Sequence, residues 1–205
     1  MGLFKGPRVV RAVMVAFALS FSLSGCLSTK TYVDPTLPTV SRTDLRAPAN
    51  PRSANVLFEF RTKGNANARA TQEVRPMVIQ AVEESGLFSS VSDTASVPAG
   101  SQLKVVIDNV PVTDNAAAKG FGTGLTLGLA GSMVTDGYVC TVSYTADGTT
   151  TETVVNHALH TTIGNHGGPD GLAPMPMQQA LTTLVHQMVF NALKDFSDRR
   201  LFEEQ

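Results

Sequence analysis

The chain has 205 residues, with 16 Lys and Arg against 17 Asp and Glu and a formal net charge of −1. A near-neutral chain without a basic run has no electrostatic footprint for nucleic acid, and that function class is set aside. With only two cysteines, at Cys26 and Cys140, a disulfide-dense scaffold is excluded as well, and the length suffices for one hydrophobic core.

The first segment reads as a targeting signal. Lys5, Arg8 and Arg11 precede the uncharged run Ala12 to Ser24, which is too short to span a bilayer as a helix. Leu23, Ser24, Gly25 and Cys26 follow, and this group resembles the lipobox of bacterial lipoproteins. The resemblance implies cleavage before Cys26 and acylation of its thiol and its new amino group. Residues 1–25 are then a signal peptide, and Leu27, which is not an aspartate, favours the outer membrane over the inner one. The three leader cations have no acidic counterpart, so the remaining 180 residues carry 13 basic and 17 acidic side chains, a net charge of −4.

Residues 26–54 read as a lipidated N-terminus and a proline-rich tether. Pro35, Pro38, Pro48 and Pro51 interrupt any helix, and the apolar residues show no period. A single domain is expected over 55–196, with a short tail at 197–205. Val56, Phe58 and Phe60 alternate as in a half-buried strand. Val74, Val78, Ala81 and Val82 then share a helical face that Gly86 ends, with Pro76 expected to kink the helix or mark the start of its regular part. Residues 87–92 return as a short extended piece, and Leu103, Val105 and Ile107 mark another strand.

The stretch from Gly120 to Val134 is uncharged and rich in glycine. No Gly-Lys-Ser/Thr follows, so it is not a phosphate loop, and it is too short for a membrane helix. A strand fits with the fewest costs, because Phe121, Leu125, Leu127 and Leu129 fall on one face. Gly120, Gly122, Gly124 and Gly128 fall on the other. The bare face is a candidate contact surface; a partner-ordered loop and membrane insertion are the alternatives. Beyond it, Asp147-Gly148 predicts a two-residue hairpin turn between strands that include Cys140, expected as a buried strand residue, and the histidine pair.

His157 and His160 differ by three, so a strand points them to opposite faces and they do not chelate together; His157 is expected partly buried and His160 on the surface. Met177, Leu181, Leu184, Met188 and Ala192 make the stripe of a closing amphipathic helix, widened by Val185, Val189 and Leu193, with His186 on its flank. The expected fold is α+β, a two-layer sandwich with an antiparallel or mixed sheet of four to five strands and two helices on one face.

Taken together, the lipobox with Leu27, "AVEESGLFSSV", "LKVVIDNV" and the closing helix resemble small outer-membrane lipoproteins of Gram-negative bacteria. The two-layer transport-auxiliary and secretion-associated lipoproteins are similar in arrangement. That resemblance implies a non-enzymatic assembly or accessory factor of an envelope complex, without cofactor or metal. It would be held to the membrane by its acyl chains and would contact an envelope protein or a second copy. The alternative is a binding module for a lipid or other apolar molecule beside Met175, Met177 and Met188. A hydrolase or metal enzyme centred on the histidines is the least favoured reading.

Overall fold

The computed structural model describes residues 29–94, 100–112, 133–164 and 167–203. The chain runs β1 (Thr29–Val33), a 3-10 turn (Arg42–Asp44), β2 (Ser53–Thr62), β3 (Asn65–Ala66), α1 (Ala68–Ser85), β4 (Ser90–Ser92) and β5 (Ser101–Pro111). It continues with β6 (Met133–Ala146), β7 (Thr149–Ile163) and α2 (Met177–Asp198). The α+β class is as expected, but among the described residues the sheet has seven strands, not four to five. Part of the surplus lies in the short strands β1 and β3, each of five residues or fewer, which carry too little periodicity to declare themselves, while β4 falls within the extended piece expected at 87–92.

The sheet order is β1-β7-β6-β5-β2, with β3 and β4 flanking the outer side of β2 at its two ends. β2 and β5 are parallel, joined through α1, whereas β5-β6, β6-β7 and β1-β7 are antiparallel. The Asp147-Gly148 turn has positive φ at both residues (50° and 76°), the conformation that this dipeptide tolerates, and it places Ala146 opposite Thr149.

Register decides what each face carries. Val56, Phe58 and Phe60 of β2 line up with Leu103, Val105 and Ile107 of β5, and these with Tyr144, Val142 and Cys140 of β6. All are buried, and both helices pack on this face through one continuous cluster. α1 contributes Val74, Val78, Ala81 and Val82, as the spacing predicts. Pro76 lies within α1 on its exposed side, so the carbonyl that loses a donor faces water and the helix continues. Gly86 ends α1 in the left-handed conformation at φ 66°.

The stripe of α2 differs from the expected one at its start. Leu184, Val185, Met188, Val189, Ala192 and Leu193 are buried, while Met177 is exposed and Leu181 half-buried; Ala180, Phe190 and Phe196 complete the buried face. Phe196 meets Tyr144 and Phe202, and Phe202 in turn meets Tyr144 edge-on at 5.0 Å between centroids.

The expected tether is corrected by the structure from Thr29 onward. Residues 29–33 pair with β7, and Tyr32, Val40 and Leu45 are buried. The segment then crosses α2: Asn191 donates its side-chain amide to the Pro38 carbonyl at 2.8 Å, and the Arg46 amide donates to Ser197 Oγ at 2.7 Å. The prolines do prevent a helix here, yet an extended chain can still dock along a sheet edge and a helix surface.

Phe196→Ala removes a fully buried ring from the junction of α2 and β6 and is expected to cost about 4 kcal/mol. Urea unfolding should show a lower midpoint with an unchanged slope.

Candidate functional site

Cys26 and Leu23, Ser24 and Gly25, read from the sequence as a lipobox, lie outside the described residues, as do Gly120, Phe121, Gly122, Gly124, Leu125, Leu127, Gly128 and Leu129. What the structure does place is where those segments join the domain. Val112 and Met133 flank the glycine-rich stretch, and both lie at the end of the sheet where β5 stops and β6 begins. Thr29 opens β1 at that same end, opposite Ile163.

The chemistry-bearing side chains gather close by. Asp34 follows β1, with its amide donating to the Ala158 carbonyl at 3.1 Å. His160 Nε2 lies 3.0 Å from Asp34 Oδ2, and His160 Nδ1 lies 2.9 Å from Thr135 Oγ1. The other Asp34 oxygen accepts from the Thr36 amide at 2.9 Å and from the Thr36 hydroxyl, an Asx turn built on Asp-Pro-Thr. Asp34 and His160 are each 4% exposed. This corrects the expectation that His160 lies on the surface. The segment read as a tether supplies both its carboxylate partner and Tyr32, the neighbour opposite it on β1.

Burial is the largest single influence on Asp34 and pushes its carboxyl up. The hydrogen bonds from His160 and Thr36, with the attraction of a protonated imidazole, together outweigh it and hold the group at about 2. The carboxylate is therefore ionised at neutral pH and acts only as an acceptor, so Nε2 of His160 carries the proton. Nδ1 is left to accept from, or donate to, the Thr135 hydroxyl. Asp34, His160 and Thr135 form a closed carboxylate–imidazole–hydroxyl chain that joins β1, β7 and β6.

His157 lies on the opposite face of β7, as alternation requires, with Nε2 2.6 Å from Gln187 Oε1 of α2. Its Nδ1 is buried without a hydrogen-bond partner among the described residues. Burial pushes this imidazole down, opposed by the Gln187 bond, so it stays neutral and ties β7 to α2. His186 stacks on Phe190 at 4.0 Å and sits 3.4 Å from Glu84, on the flank between the helices. Cys140 is fully buried, and burial alone pushes its thiol up to about 12, so it is an inert core residue. The three methionines do not line one site: Met188 is core, Met177 is exposed, and Met175 bridges Thr31. Among the described residues, no three His, Cys, Asp or Glu side chains come together as a metal site.

The sequence reading missed Asp34 and Thr135. The one available signal was Asp-Pro-Thr, which marks a turn but not its distant partner.

No family model matches the chain, and neither does any curated protein. Among solved structures it is similar to the PelC dodecamer from Paraburkholderia phytofirmans, at 12% identity over 83% of this chain and 98% of that one, with a TM-score of 0.37. It is also similar to the rare lipoprotein B from Shewanella oneidensis, at 8% identity over 73% and 92% of the two chains and a TM-score of 0.33. A lipoprotein is thus among the solved structures this chain is similar to. Likenesses this slight leave the functional reading to the chain's own residues.

Two separate acid windows are expected in the stability of the domain. The unfolded chain protonates His157 near its ordinary value of 6.5 while the folded site resists the proton, so stability falls as pH drops below that value. The contribution of Asp34 is complete above 3.8 and disappears as pH falls from there through about 2. Unfolding free energies measured against pH should lose the first window in His157→Gln and the second in Asp34→Asn. His160→Ala leaves a buried carboxylate unpaired and is expected to cost about 3 kcal/mol.

Proposed function

We propose that the chain is a lipid-anchored protein of the bacterial envelope, acting as a non-enzymatic assembly or accessory factor on the periplasmic side of the outer membrane. The observation that carries this reading is the ordered succession of basic residues, an apolar run and Leu-Ser-Gly-Cys at 23–26. Two acyl signals suffice for stable attachment to a bilayer, and a fully processed lipoprotein N-terminus supplies more. Among the described residues, no helix is long and apolar enough to cross a membrane; this reading assigns attachment to the acyl groups on Cys26.

The non-enzymatic part rests on how the polar groups are used. Nucleophilic catalysis needs a hydroxyl open to substrate and donors aimed at the developing charge. The Thr135 hydroxyl is instead spent on a buried imidazole, whose other nitrogen is spent on Asp34. That arrangement suits a structural tie between three strands. The reading assigns partner contact, whether with an envelope protein or a second copy, to the bare face around Gly120, Gly124 and Gly128.

Intact-mass measurement of protein purified from membranes is expected to show a chain that starts at Cys26 and carries acyl chains. Cys26→Ser should leave the precursor uncleaved and unacylated. A mature chain that starts elsewhere, or a wild-type protein without acyl mass, would overturn the reading. A photo-crosslinker at Leu127 is expected to capture a discrete partner in cells only when the anchor is present. Capture that is unchanged in Cys26→Ser would remove the link between anchoring and assembly.

A further inference from the structure

We infer that the β1-β7-β6 corner of the domain is its membrane-contacting surface, with Val134, Ile163 and Met177 seated on the bilayer interface. The inference rests on the lipid-anchored reading above and adds to it an orientation and a set of contact residues.

The first step is the covalent reach of the chain. Cys26 precedes Thr29 by three residues, and three residues span at most about 10 Å. Thr29 does not begin a free linker; it is paired with Ile163 in the sheet. If the acyl chains of Cys26 enter the bilayer, the end of the sheet that carries Thr29, Ile163 and Met133 is held within about 10 Å of the point of entry. The opposite end, at the Asp147-Gly148 turn, is far away: the thirteen residue steps along β7 from Thr150 to Ile163 span roughly 43 Å.

The second step uses exposed side chains and does not depend on the first. Among the described residues, five large apolar side chains are exposed, and three of them are Val134 (54%), Ile163 (42%) and Met177 (51%). Register brings these three together. Val134 faces Thr161 across β6 and β7, Ile163 lies two residues further along the same face of β7, and Thr31 of β1 lies opposite Thr161. The Thr31 hydroxyl reaches Met177 Sδ at 4.0 Å, which places the start of α2 beside them.

The far end of the sheet contrasts with this. It carries the Arg52–Asp147 ion pair at 2.7 Å and exposed Thr149, Thr150 and Glu152. Lys63 and Asp108 lie at the β2–β5 side of the near end, and the charges that border the patch are Asp136, two residues from Val134 on the same face of β6, and Lys30, opposite Thr162 on β1. Such a patch has little affinity for a membrane alone, but an anchor that already holds it there makes even weak burial effective.

The chain contains no tryptophan, so a single introduced indole reports its own position. Ile163→Trp and Thr150→Trp are prepared as full-length protein from membranes, and Cys26 acylation is checked by intact mass. Each is reconstituted into phosphatidylethanolamine/phosphatidylglycerol vesicles with plain or brominated acyl chains. The emission of Ile163→Trp is expected to fall to about half in brominated vesicles, because interfacial side chains sit at the headgroup–acyl boundary. Thr150→Trp should be unaffected. Met177→Trp, at an exposed helix start, replaces Ile163→Trp if circular dichroism shows that variant misfolded.

Acylated protein with an unquenched indole at this corner overturns the orientation and leaves the lipoprotein reading standing. An indole whose emission shifts with protein concentration while staying unquenched assigns the patch to a second copy and also overturns the orientation. Absence of acyl mass overturns both readings together.

Discussion

The pairing of β1 with β7 is the contact on which the organisation of this protein depends. Five residues that begin at Thr29 add a strand to the sheet edge, and the chain then passes over α2 before entering β2. An isolated strand of that length contributes little, and a sheet edge is by itself open to any passing chain. Two features make the pairing specific. Asp34, directly after the strand, is buried against His160 and Thr36, and removing either partner would strand a charge or a donor away from water. Beyond β1, the Met175 amide donates to the Thr31 carbonyl at 2.9 Å, so the outer edge is covered by the chain that leads into α2. Gly168 rests against the ring of Tyr32 so closely that a Cβ there would fall inside it.

The rest of the core is conventional in its physics. A parallel β2-β5 pair joined through α1 sets one half, and the long β6-β7 hairpin sets the other. Because the side-chain period of a strand is two, the register of four central strands aligns their apolar residues on the helix face, and a slip of one residue would invert them. The outer edge of β2 is shielded at both ends by β3 and β4, so neither margin of the sheet is left as a long bare template.

Folding and placement are linked through this N-terminal strand. A flexible tether would let a domain roam tens of ångströms from its anchor and face any direction. In the lipid-anchored reading, a strand that begins three residues after Cys26 removes that freedom and hands the orientation of the whole domain to the sheet. In the lipid-anchored reading, the same end of the sheet that receives the anchor also receives both ends of the glycine-rich stretch. The Asp34–His160–Thr135 chain, which has the composition of a catalytic triad, serves this geometry as a clasp between β1, β7 and β6.

Much of the architecture was legible in the amino-acid sequence, because local periodicity reports burial directly. Val56, Phe58 and Phe60 announced β2, Leu103, Val105 and Ile107 announced β5, Asp147-Gly148 announced the hairpin, and Gly86 announced the end of α1. The opposite orientation of His157 and His160 followed from strand alternation alone. What the sequence could not express were relations between distant positions. Thr29–Val33 is too short and too polar to show a period, and the prolines behind it describe equally well a tether and a strap docked on α2. Whether His160 is a surface residue or a buried one depends on Asp34, 126 residues earlier in the chain, and on Thr135 one strand away. The sequence by itself determined the class of the fold, its main strands and both helices, since those depend on neighbours a few residues apart. Only the tertiary structure decided that the N-terminal segment completes the sheet and that a carboxylate, an imidazole and a hydroxyl meet beneath it. Such contacts arise from packing between segments that carry no local mark of one another.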